Sequence, residues 1–153
     1  MPDQTGRTVL VTGATSGLGL HSAIALAAAG ARVLLTAREP ARGEVALARV
    51  REEGGPGGGL AELVALDLAD LASVRRAAAQ VRERTADRLD VLMNNAGVMA
   101  TPRGTTVDGF ELQIGTNHHG HAALTWLLMP ALRGAAANGP PAAPPTPSGA
   151  EPA

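Results

Sequence analysis

Cysteine, tyrosine and lysine are all missing from the 153 residues of this chain. Without cysteine there is no disulfide framework, no thiol nucleophile and no thiolate metal site. With neither tyrosine nor lysine, proton transfer by a phenol or an alkylammonium is excluded everywhere in the chain, and all 13 basic residues are arginine. Charge of one sign is also lacking: a net charge of −1 and a pI near 6.4 argue against a polyanion-binding face, so no nucleic-acid partner is expected. No apolar run approaches the ~20 residues of a membrane span, Ala122 to Leu132 being short and interrupted by Pro130. The start, M-P-D-Q-T-G-R, has no basic region followed by an apolar core, so a secretory signal is not expected and the cytoplasm is the expected location.

What is present is organised around Thr12 to Gly19, T-G-A-T-S-G-L-G. It lies between an apolar run, Thr8 to Val11, and an Ala-rich amphipathic stretch, Leu20 to Ala29, the order of a strand, a tight turn and a helix. Glycines at 13, 17 and 19 suit a sharp turn, close approach of a pyrophosphate, and close packing of helix on sheet. The opening N–H groups of that helix then face an anion. Arg32 to Thr36 reads as a second buried strand, Pro40 to about Glu53 as a helix with Val45, Leu47 and Val50 inward and Arg42 outward, and Gly54 to Gly59 as a flexible loop. Leu60 to Leu66 and Asp90 to Asn94 are further strands, separated by a helix from Leu71 to about Thr85 that Asp70 caps. A long, bent helix is expected from Val107 to Leu132. The expectation is an α/β fold: a Rossmann-type parallel sheet with helices on both faces, strand order 3-2-1-4, ending after the fourth strand and its following helix. Residues 134–153, rich in Ala, Pro and Gly, read as a disordered tail beyond a nucleotide-binding part of residues 1–133.

T-G-A-T-S-G-L-G, then N-N-A-G at Asn94 to Gly97, then T-N-H-H-G-H at Thr116 to His121, closely resemble the short-chain dehydrogenase/reductase family over about the first 133 residues. D-G-F-E-L-Q at Asp108 to Gln113 and G-H-A-A-L-T at Gly120 to Thr125 resemble its retinol-dehydrogenase-like branch. The resemblance implies that Thr12, Gly13, Thr15, Ser16, Gly17, Leu18 and Gly19 hold the cofactor pyrophosphate and adenosine ribose. It further implies that Asp67 and Leu68 meet the adenine edge and that Asn95, Ala96 and Gly97 line the floor. Asn117 matches the helix asparagine whose backbone carbonyl serves the catalytic proton relay. About 20 residues beyond the glycines, where a carboxylate would hold the ribose diol of NAD, stand Ala37 and Arg38. A guanidinium can clamp a 2′-phosphate, so NADP is expected over NAD. His118, His119 and His121 lack carboxylate or thiolate company in sequence, and no metal site is expected.

The family's chemistry needs a serine on a later strand and a Tyr-x-x-x-Lys pair, and this chain has none of that constellation. The reading is therefore an NAD(P)-dependent short-chain oxidoreductase, moving hydride between alcohol and carbonyl, present as a cofactor-binding part that is itself inactive. A non-catalytic dinucleotide-binding module and a non-functional gene remnant are the alternatives. A natural truncation, a frameshift and a gene-model error would each produce such an end. A small alcohol or carbonyl substrate is expected only of an intact relative.

Overall fold

The computed structural model describes residues 1–58 and 60–139. Four short strands, β1 (Thr8–Val11), β2 (Arg32–Ala37), β3 (Glu62–Ala65) and β4 (Val91–Met93), form one parallel sheet in the order β3-β2-β1-β4. Helices α1 (Gly17–Ala28), α2 (Pro40–Glu53) and α4 (Leu71–Thr85) make the crossovers, and α6 (His121–Asn138) follows β4. This is the expected Rossmann-type architecture and strand order.

Successive strand residues point to opposite faces, and here both faces are covered, so the strands read as unbroken apolar runs. Val9, Val11, Val33 and Leu35 pack under α1 and α2, with Leu20, Ala23, Ala27, Leu47 and Val50. Leu10, Leu34 and Val64 pack under α4 and α6, with Val74, Val81, Leu124 and Leu128. The two layers hold the C-terminal ends of β1 and β4 side by side, which is where a ligand crevice opens in such sheets. Helix α4 begins at Asp70, whose carboxylate accepts from Ala72 N–H at 2.8 Å.

Several expectations needed correction. Val45 is 65% exposed, while Gly43 and Ala46 join Leu47 and Val50 on the inner side of α2. Gly55–Gly58 forms one helical turn, α3, where the glycine run suggested a loop. Contacts beyond the run brace it: Ala61 N–H donates to Gly58 O at 3.1 Å and Arg51 Nη2 to Ala61 O at 3.0 Å. The long helix does not start at Val107, because Gly109 takes a φ of +86° and Thr105 bridges back to Glu111. It starts at α5 (Leu112–Ile114), widens into a π-helical segment over Gly115–Gly120, and runs on as α6. Helix α6 continues past Arg133 to Asn138, into the expected tail; residues 140–153 lie outside the described residues.

Glu111 caps this helix, accepting from Gln113 N–H at 3.0 Å and Ile114 N–H at 2.8 Å. Those bonds, Gln113 first, hold its carboxyl below the ordinary value of 4.5. A depressed folded-state value means that the cap's contribution is complete above about 4.5 and is lost as pH falls through the folded value. Amide resonances of Gln113 and Ile114 should therefore move together with the Glu111 titration below its ordinary range. A Glu111 titrating at or above that range contradicts this.

Candidate cofactor site

Residues from α1, β2, α2, the π-helical segment and the loops at the strand ends line a crevice of about 440 Å³ at the C-terminal ends of the strands. Gly13, Thr15, Ser16 and Leu18 form one wall, Arg38, Glu39 and Arg42 one end, Asp67 and Leu68 a second wall, and Asn95 to Val98 with Thr116 the floor. Ten of the expected cofactor residues are thus brought together: Gly13, Thr15, Ser16, Leu18, Arg38, Asp67, Leu68, Asn95, Ala96 and Gly97. Thr12, Gly17, Gly19 and Asn117 are placed around the crevice and do not line it.

The turn after β1 explains those placements. Gly13 has a φ of +65°, and a Cβ there would lie 2.7 Å from Ala96 Cα, so the turn sits directly on the floor. Gly19 is buried, and a Cβ on it would collide with the Gly13 carbonyl and lie 2.5 Å from Asn95 Nδ2. Gly17, at φ +54°, faces open space. Ser16, the N-cap of α1, makes no side-chain cap bond, and the first turn holds no acidic residue. The leading N–H groups of α1 and the Ser16 hydroxyl are left for an anion.

Thr12 is fully buried, and its hydroxyl knits the turn to the floor. Its Oγ1 accepts from Asn95 N–H at 2.9 Å and Ala96 N–H at 3.0 Å. The Asn95 amide donates back to Thr12 O at 3.0 Å and Gly13 O at 3.3 Å, so this side chain braces the sheet end. Asn94 instead donates to Thr125 Oγ1 on α6 at 3.0 Å. Asp67 Oδ1 accepts from Ala69 N–H at 2.9 Å, which makes the residue a strand-end cap as well as part of the crevice wall.

Asn117 lies in a second, more open hollow with Asn94, Ala96, His118, His121, Thr125, Trp126 and Met129. Its side chain grips Val98 from both sides, accepting from Val98 N–H and donating to Val98 O, each at 2.8 Å. Ala96 lines both hollows and marks where they meet. The three nearby histidines diverge in role. His119 stacks on Phe110 with ring centres 4.4 Å apart, His118 lies edge-on to His119, and His121 is buried against Thr12. Among the described residues no cluster of three His, Asp or Glu side chains is placed to hold a metal ion.

Three features of the site were not visible in sequence. Arg42 was expected to face outward, yet it shares the crevice end with Arg38, because α2 starts immediately after β2 and its first turn points back over the strand end. Thr116 Oγ1 is buried without a hydrogen-bond partner among the described residues, and it lies in the crevice floor. His121, read in sequence only as a discounted metal ligand, bridges the Thr12 hydroxyl and the Asn117 carbonyl.

The family model for short chain dehydrogenases matches residues 7–139. The chain belongs to the short-chain dehydrogenase family. It is 48% identical to mouse (Mus musculus) Retinol dehydrogenase 14 over 86% of this chain and 41% of that protein. The Pseudomonas aeruginosa RhlG/NADP active-site complex superposes with a TM-score of 0.73 at 32% identity, over 87% of this chain and 50% of the other. An NADH-dependent reductase responsible for alginate metabolism gives a TM-score of 0.71 at 30% identity, over 88% of this chain and 55% of the other. This short-chain dehydrogenase chain thus spans about 41% of the length of its curated relative. Among the described residues no helix is long and apolar enough to cross a membrane.

Proposed function

We propose that the crevice binds a nicotinamide dinucleotide, NADP(H) in preference to NAD(H), and that the chain is the cofactor-holding part of an oxidoreductase interconverting alcohols and carbonyls. The cradle supports the first statement: a glycine turn with open space before Gly17, uncapped N–H groups on α1, and an orphaned Thr116 hydroxyl in the floor. Ser16 and the first turn of α1, with Thr15 and Leu18, would hold the pyrophosphate. Asp67 and Leu68 would hold the adenine, and Ala96 and Gly97 the adenosine ribose. When bound, the nicotinamide gives or takes a hydride. This chain's residues orient that ring beside Asn117, and none supplies a phenol or ammonium to move the accompanying proton.

The preference for NADP(H) rests on one observation. Arg38 and Arg42 both line the end of the crevice beside β2. Arg42 stands in the first turn of α2, where a cation opposes the helix dipole, and the acidic neighbour at the N-cap, Glu39, is paired with Arg38 at 3.4 Å. A 2′-phosphate would relieve that opposition and accept charge-assisted bonds from both guanidinium groups. Glu39, also in the crevice, favours the second reading, since its carboxylate can accept from the ribose diol of NAD(H).

Calorimetric titration with both dinucleotides separates these readings. The unmutated chain should bind NADPH more tightly than NADH, and Arg38→Asp should reverse the order. The Arg38 side chain is 64% exposed, so the loss for NADPH should be near the low end of a charge-assisted contact, about 1–2 kcal/mol. Equal affinities in the unmutated chain would remove Arg38 from the site.

A further inference from the structure

His121 is buried at the start of α6 with both ring nitrogens engaged. Nδ1 is 2.9 Å from the Asn117 carbonyl oxygen, and Nε2 is 2.9 Å from Thr12 Oγ1. A carbonyl can only accept, so Nδ1 carries the proton. In the neutral ring Nε2 is then the acceptor. Thr12 Oγ1 already receives two N–H groups, from Asn95 and Ala96, which occupy its lone pairs. Its one hydrogen has two possible targets, Met93 O at 3.3 Å and His121 Nε2 at 2.9 Å. The shorter contact and the acceptor state of Nε2 choose the histidine. A single directed chain results, running from the floor amides through the Thr12 hydroxyl and the imidazole to the Asn117 carbonyl.

We propose that His121 is a positioning residue for the dinucleotide, resting on the function proposed above: its neutral, Nδ1-protonated ring fixes the Thr12 hydroxyl and so sets the floor amides of Asn95 and Ala96 against the phosphate turn. The consequence is geometric, because Ala96 touches the turn at Gly13. A Thr12 side chain free to turn about χ1 would carry Oγ1 away from the two amides, and turn and floor would no longer close on the ligand as one unit. The same chain ends on Asn117, whose side chain holds Val98, so one ring ties three parts of the site together.

The test uses the full chain. In the unmutated protein, long-range nitrogen–proton NMR correlations of the His121 ring should show Nδ1 protonated and Nε2 bare. A ring protonated on Nε2 instead overturns the proposal, whether or not any dinucleotide binds. In NADPH titrations, His121→Leu and Thr12→Val should each weaken binding about tenfold, and the double variant no more than about twofold beyond either, as expected for one shared hydrogen-bonded unit. His121→Gln, whose amide oxygen can still accept from Thr12, should stay within about twofold of the unmutated chain. Unchanged affinity in a folded His121→Leu, or full additivity in the double variant, overturns the proposal. If His121→Leu does not fold, Thr12→Val and His121→Gln must still separate in the stated direction, and equal affinities overturn it. Failure of the unmutated chain to bind NADPH or NADH sinks the proposed function instead. The positioning role is then read from the Asn95 and Ala96 amide resonances, which should shift together in Thr12→Val and hold in His121→Gln; amides unmoved in Thr12→Val overturn it.

Discussion

The purified chain should not oxidise alcohols or reduce carbonyls, even when saturated with NADP(H). Hydride transfer to a carbonyl needs a proton or a cluster of donors at the oxygen where charge develops. General acid catalysis alone is commonly worth 10²–10⁴-fold, and the chain contains no tyrosine or lysine to provide it in the family's manner. Of the histidines near Asn117, His121 has both nitrogens occupied and His119 is stacked on Phe110, while His118, which lines the second hollow, is the one imidazole there left to move a proton in place of the phenol. Absorbance at the reduced-nicotinamide band, followed with a panel of aldehydes, ketones and alcohols, should match that of a Gly13→Val control. Clear turnover above that control would show that some other residue here moves the proton. Binding without turnover is also what a non-catalytic dinucleotide module would give, so this assay and the affinity measurements must be read together.

Gly19→Val should be the most damaging single substitution in the cradle. A Cβ at this position has nowhere to go, because the neighbours it meets are the Gly13 carbonyl and the Asn95 amide that braces β1. Backbone on one side and a bonded side chain on the other cannot yield, so helix α1 must back away from the turn. Overpacking of this kind costs about 1–3 kcal/mol or more. In a chain of 153 residues each kcal/mol lowers Tm by about 2–4 °C. Gly17→Ala provides the contrast. Its Cβ meets no atom within 4 Å, although φ is +54°. Only the left-handed backbone is penalised, by about 1–2 kcal/mol, and the fold should survive. NADPH affinity should nevertheless fall, because the added methyl occupies the approach of the pyrophosphate. Thermal melts of both variants check this pair; a Gly19→Val melt equal to that of the unmutated chain contradicts the close packing of turn and helix.

Much of the scaffold is legible in sequence because local and global signals agree. Asp70 caps α4 as its position before Leu71 suggests, Pro40 opens α2, and the apolar runs at Thr8 to Val11 and Arg32 to Thr36 become the buried central strands, the second reaching one residue further to Ala37. Misreadings arise where a distant contact decides. Gly55–Gly58 has little helix propensity of its own, yet Arg51 and Ala61 brace it. Arg42 follows the polar side of a helical wheel, which cannot show that this side of the first turn overhangs a crevice. His121 stands in the sequence among two other histidines and small residues. Its partner Thr12 lies 109 positions away, a separation that no periodicity reveals. Composition puts a boundary near Arg133, but Ala135 to Ala137 are good helix formers and α6 uses them up to Asn138.

The central claim is that these four strands and their loops hold a dinucleotide in one defined place. Amide chemical-shift mapping of the unmutated chain during an NADPH titration tests it most directly. Saturable shifts should concentrate at Gly13, Ser16, Leu18, Arg38, Arg42, Asp67 and Asn95 to Val98, while the outer faces of α2 and α4 stay still. Shifts scattered over the surface, or none at millimolar NADPH, would contradict the account.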